Sequence, residues 1–150
     1  MTFFQFEADF VDSLRCIPMI VRLKLDTCGV KLKLAEWNRF TQAECQQLVD
    51  FSCTDVAEIT AYREYVSELI FQHTGNQASL LTIDPQPPWL EDRAIPPSVE
   101  TKATEHQLNI TLSQWVNLTP LQRFALIKLT RSSHENNNFL PALTEFGLLN

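Results

Sequence analysis

Seven side chains in this sequence are of the kinds that attack carbonyls, hold metals or pass electrons: the cysteines at 16, 28, 45 and 53 and the histidines at 73, 106 and 134. All four thiols fall in the first half of the chain. None forms a C-x-x-C pair, and no histidine stands beside them at zinc-ligand spacing. Thiols scattered in this way are ordinarily small buried hydrophobes that carry no disulfide, with a metal or redox role assembled in three dimensions as the alternative. The other signatures of a catalyst are missing too. There is no G-x-S-x-G, no P-loop and no H-E-x-x-H, since His134-Glu135 runs straight into three asparagines. The reading is a chain without catalytic residues, metal ligands or a cofactor of its own.

One polar cluster is denser than a helix connection requires: Arg131-Ser-Ser-His134-Glu135-Asn136-Asn137-Asn138-Phe139. Its plain explanation is a solvated loop in which Asn138 caps the following helix. The functional explanation is a partner-binding surface carried by Arg131, His134, Glu135, Asn136, Asn138 and Phe139. Trp37 and Trp115 are the conspicuous aromatics, and both read as pillars of the core.

The elements that hold these groups come in two versions. Slid against itself by 78 residues, the chain lays Ile17-Pro18 on Ile95-Pro96, Val21 on Val99, Lys24 on Lys102, and Leu34 on Leu112. Trp37 then meets Trp115, Thr41 meets Thr119 and Leu48 meets Leu126. Self-similarity at a fixed offset is the mark of duplication. The expectation is a mostly α fold made of two diverged repeats, 17–72 and 95–146, related by a pseudo-two-fold axis.

Each repeat has the same plan. Ile-Pro suits the first turn of a helix, where a missing N–H costs nothing. Val21, Leu25 and Cys28 follow at helical spacing, and Gly29 stands where a left-handed residue ends a helix. Gln107 occupies the matching place in the second repeat, so a different stop is expected there. Alternation over Val30–Leu34 and Leu108–Leu112 predicts either one short β-strand per repeat, the two pairing about the axis, or an extended connector. Thr41-Gln-Ala-Glu44 and Thr119-Pro-Leu-Gln122 are capping boxes, and the apolar run behind Thr119 predicts the most buried helix. Asp55 to Gly75 encloses another helix, and Phe139 to Phe146 a shorter one before Gly147. Five of the eight prolines lie between Pro85 and Pro97. The connector 76–94 is therefore read as irregular, pinned by Trp89. Residues 1–150 are read as a single composite domain, because half this length would be marginal alone.

Composition narrows the functions. A net charge of -6 and a pI near 5.0 argue against nucleic acid, which calls for a basic face. The early basic residues, Arg22 and Lys31 among them, are interleaved with Asp26 and Glu36 and read as a solvated face. No apolar run reaches the roughly 18 residues of a membrane span. The start lacks the basic and apolar regions of a signal peptide. A cytoplasmic protein is expected.

Several blocks are specific enough to carry a resemblance. Phe-Gln-Phe-Glu-Ala-Asp-Phe (4–10), Leu-Arg-Cys-Ile-Pro-Met (14–19), Lys-Leu-Asp-Thr-Cys-Gly-Val-Lys-Leu (24–32) and Ala-Tyr-Arg-Glu-Tyr (61–65) are four of them. Leu-Thr-Pro-Leu-Gln-Arg-Phe-Ala-Leu-Ile-Lys-Leu (118–129), His-Glu-Asn (134–136) and Asn-Phe-Leu-Pro-Ala-Leu (138–143) complete the set. Together they resemble the conserved nitrate reductase-associated protein family of oxygenic photosynthetic bacteria. The resemblance implies an accessory or maturation protein needed by an assimilatory nitrate reductase, an enzyme carrying a molybdenum cofactor and an iron–sulfur cluster. The partner is then the reductase or its maturation machinery, met by protein–protein binding. The alternative is a small cysteine-based metal or redox carrier serving the same enzyme. The resemblance transfers no catalytic residue.

Overall fold

The computed structural model describes residues 3–8, 16–131 and 138–149. These are mostly helical and fall into two compact units, one drawn from Glu7–Asp84 and the other from Pro85–Asn150 with Phe4–Phe6.

In the first unit α1 (Met19–Cys28) follows Pro18, which sits at the N-cap position and not inside the helix. Gly29 ends α1 at φ 80°, donating its N–H to Leu25 O at 2.8 Å. A side chain there would be strained by that φ and would also collide, since a Cβ would stand 2.7 Å from Cγ1 of Ile83. The expected alternating strand shrinks to β1 (Val30–Lys31), because the backbone turns into the short helix α2 (Leu34–Trp37). The partner of β1 is also not the one expected. β1 pairs antiparallel with β2 (Ser79–Leu80), Val30 opposite Leu80, within the stretch read as an irregular connector. Two further helices complete the unit. Thr41 caps α3 (Gln42–Asp50), its hydroxyl accepting from Glu44 N at 3.1 Å while Glu44 accepts from Thr41 N at 2.8 Å. Asp55 and Glu58 form the same box on α4 (Val56–Thr74), which Gly75 ends at φ 74°. Val21, Trp37, Leu48, Val66 and Ile70 form the dry centre. Each such burial is worth about 1.5–3 kcal/mol.

The second unit contains α5 (Pro97–Glu105), α6 (Leu112–Val116), α7 (Pro120–Leu129) and α8 (Phe139–Glu145). No strand forms at Leu108–Leu112. Thr111 instead caps α6 through a box with Gln114, the two bonds being 2.9 and 3.1 Å. The stop of α5 shares the left-handed residue of α1 but differs in its bonds. Gln107 takes the left-handed backbone at φ 60°. Gln107 N bonds Thr104 O and Leu108 N bonds Ala103 O, both at 2.9 Å, which is the Schellman pattern. Buried residues run almost continuously along α7, as its apolar sequence requires. The proline-rich stretch is more regular than expected, with one 3-10 turn at Pro88–Leu90 that sets Trp89 edge-on against Phe124 at 5.0 Å. Phe4, Phe6 and Phe146 cluster, and Phe6 N donates to Glu145 Oε1 at 3.1 Å.

Candidate functional site

The thiols come first, because they were the chemistry the sequence offered. All four are free; Cys28, Cys45 and Cys53 are buried and Cys16 half-buried. Each buried thiol faces a carbonyl: Cys28 that of Leu25 at 3.6 Å, Cys45 that of Trp37 at 3.8 Å, Cys53 that of Lys24 at 3.7 Å. Burial pushes Cys28 and Cys45 up to about 11 and Cys53 up to about 12. Such thiols stay protonated at neutral pH and are poor nucleophiles and poor ligands. Among the described residues no three His, Cys, Asp or Glu side chains gather as a metal site would need. Two histidines have packing roles. His73 Nε2 lies 2.8 Å from Glu44 Oε1, and His106 stacks on Phe139 with centroids 6.0 Å apart.

The polar cluster is only partly described. His134, Glu135 and Asn136 lie outside the described residues. Arg131 is exposed directly after α7. Asn138 occupies the N-cap position of α8 but makes no side-chain cap bond. The reason is local: the third helical residue is Pro141, which has no N–H to offer a cap. Phe139 is fully buried against His106. Trp37 and Trp115 are both fully buried.

The residue that sequence reasoning missed is Arg123. It stands in the middle of α7, only 8% exposed, and donates to three carbonyls. Nε reaches Trp115 O at 3.1 Å, Nη2 reaches Val116 O at 2.9 Å and Nη1 reaches Trp89 O at 3.1 Å. Trp115 Nε1 adds a bond to Glu91 O at 3.0 Å. The two residues thus fasten the proline-rich turn to the helices of the second unit. A lone arginine inside so apolar a run was the available signal, because arginine is buried only when paired.

An aromatic groove opens where α3 ends. Phe51 leaves the helix in an extended conformation without a glycine, so the last carbonyls of α3 are answered by side chains. Tyr62 Oη donates to Leu48 O at 2.8 Å and Lys24 Nζ to Val49 O at 2.6 Å. Phe51 is turned outward, 42% exposed, with its ring edge-on to Tyr65 at 5.2 Å. The Tyr65 hydroxyl donates to Gln47 Oε1. Phe51, Ser52, Glu58, Ala61, Tyr62 and Tyr65 line an open cavity of about 430 Å³. Apolar floors with few polar groups are the usual form of a binding surface. No signal for it existed in sequence, because the groove joins a helix end to the face of the next helix.

No helix among the described residues is long and apolar enough to cross a membrane. The family model described as conserved nitrate reductase-associated protein matches residues 3–146. No curated protein and no solved structure matches the chain.

Proposed function

Because this chain belongs to the conserved nitrate reductase-associated protein family, we propose that it is a non-catalytic accessory or maturation protein on which assimilatory nitrate reductase activity depends. It acts in the cytoplasm by binding the reductase or a factor that matures it. The observation that carries this reading is the family match over residues 3–146. The buried, protonated thiols support binding over a cysteine carrier. The two-repeat architecture belongs to the same reading. Trp37 and Trp115, 78 residues apart, are both fully buried, and each offers its carbonyl to the side chain eight residues on, Cys45 or Arg123. The segment Arg131–Phe139 is proposed as one contact surface.

The experiment is a pull-down of the reductase by the tagged chain, with and without the enzyme's cofactors, alongside rescue of reductase activity in cells lacking the native copy. Replacing His134, Glu135 and Asn136 by alanine at unchanged melting temperature should cut the rescue several-fold. Full rescue would return this loop to a plain connection. Visible colour in protein purified without air would favour the carrier.

A further inference from the structure

The groove of the first unit has a charge pattern as well as a shape. Its floor is aromatic, and Val56 beside Asp55 at the start of α4 is 81% exposed. Glu58 belongs to the lining. Asp50 immediately precedes Phe51, and Glu68 stands one helical turn beyond Tyr65, near enough to raise the tyrosine's pKa behind the effects of burial and Glu44. The three carboxylates bond to neutral partners: Glu58 to the Thr54 hydroxyl at 2.6 Å, Asp50 to Gln46 at 3.0 Å and Glu68 to Gln72 at 3.0 Å. Neither Glu58 nor Glu68 is in an ion pair among the described residues, whereas Asp50 already interacts electrostatically with Lys24. The cation at hand, Lys24, is half-buried beneath the floor with its ammonium on Val49 O, 5.9 Å from the Tyr62 ring centre.

An exposed aromatic edge with Glu58 in its lining and Glu68 beside Tyr65 is complementary to one kind of side chain. The aliphatic stem of Lys or Arg packs on rings while its charge is drawn both by the ring faces and by neighbouring carboxylates. A neutral apolar partner would bury Glu58 and Glu68 without compensation, and an acidic one would be repelled. We propose that the groove between the end of α3 and the face of α4 docks a basic segment of a protein partner, one Lys or Arg lying across Phe51 and Tyr65 between Glu58 and Glu68. This rests on the proposed binding function and names the chemistry of the partner. It is a surface distinct from Arg131–Phe139.

The test uses the full chain and three probes: the intact reductase, overlapping peptides tiling the reductase, and a synthetic Lys/Leu helical peptide with its Glu/Leu counterpart. Two variants keep the fold. Phe51→Ser removes an exposed ring. The Glu58→Gln/Glu68→Gln pair removes charge, while the amide side chain introduced at the first position can still close the capping box. Melting temperature is checked in both. The expected result is that retained peptides are rich in Lys or Arg, that Kd rises about tenfold or more in either variant, and that affinity falls with salt as exposed charge pairs require. Retention of neutral or acidic peptides, or affinities unchanged in both variants, overturns the groove as a basic-segment site. Reductase captured equally by wild type and variants sinks the groove and leaves the accessory function standing. Variant-sensitive binding of the Lys/Leu peptide without capture of the reductase keeps the groove and sinks direct binding of the reductase. If no probe binds, the groove fails as well.

Discussion

Arg123 opens the buried stretch of α7 that runs on through Phe124, Ala125, Leu126 and Ile127, and its guanidinium answers carbonyls of Trp115, Val116 and Trp89. Charged donors on buried carbonyls contribute more than neutral ones, so Arg123→Met should cost about 2–4 kcal/mol in urea unfolding. Arg123→Lys should recover little of it, since one ammonium cannot span three acceptors that a planar fork reaches. Recovery by Lys would mean that charge mattered and geometry did not. The thiols make a second prediction. Their pKa values are raised in the folded state, so that state holds its protons while the unfolded chain, with thiols near about 8.5, releases them. Their contribution is intact below about pH 8.5 and is lost as pH rises through about 11 for Cys28 and Cys45 and about 12 for Cys53. Stability should therefore fall across that alkaline window, and Cys53→Ala should flatten the fall. A slope unchanged by the substitution would clear Cys53 of it. Sequence alone supported the burial of the thiols, because burial is the ordinary fate of a lone cysteine. It offered no account of Arg123, whose acceptors come from the end of the preceding helix and from a turn 34 residues away.

The helix ends were the most readable elements, because a capping box is closed within four residues. The boxes at Thr41 and Thr119 form as their spacing predicts, Asp55 closes another, and Thr119→Ala should cost about 1 kcal/mol. Thr111-x-x-Gln114 is the same signal, overshadowed in sequence by the alternation of Leu108, Ile110 and Leu112. The short helices α2 and α6 were lost with it. Gln107 teaches the opposite lesson: a residue ill-suited to the left-handed region is held there by the Schellman bonds around it. The strain of that φ is about 1–2 kcal/mol for a residue with a side chain. Gln107→Gly should therefore raise stability by about 0.5–1 kcal/mol after the added freedom of the unfolded chain is deducted. Gly29→Ala should lower it, because Ile83 leaves no room for the methyl. A thermal melt of each variant decides both, and a loss of stability in Gln107→Gly would mean that its side chain has a role of its own.

At the scale of the whole chain, the expectation of one composite domain predicts a single calorimetric transition, whereas two resolved transitions would establish two independently stable units. Trp115→Ala should lower its midpoint by the equivalent of about 3–5 kcal/mol, the cost of emptying a large core site. The general fold class was legible because periodicity and caps are local. The groove at Phe51 was not, since its floor exists only once α3 and α4 have packed. The same limit applies to β1 and β2, whose two rungs join residues far apart in sequence. That ladder has consequences in time. Leu80 is 61% exposed and the pairing ends after Val30–Leu80 and Lys31–Ser79, with one further bond from Leu81 N to Gly29 O at 2.8 Å. So short a ladder, with its outer strand exposed, opens at low free energy while the helices stay closed. Deuterium should therefore reach the Leu81 amide long before the Val66 amide in α4, and a protease seeking extended backbone should make its first cut near Ser79–Ile83, releasing the strand from Gly29 while the helical core remains intact.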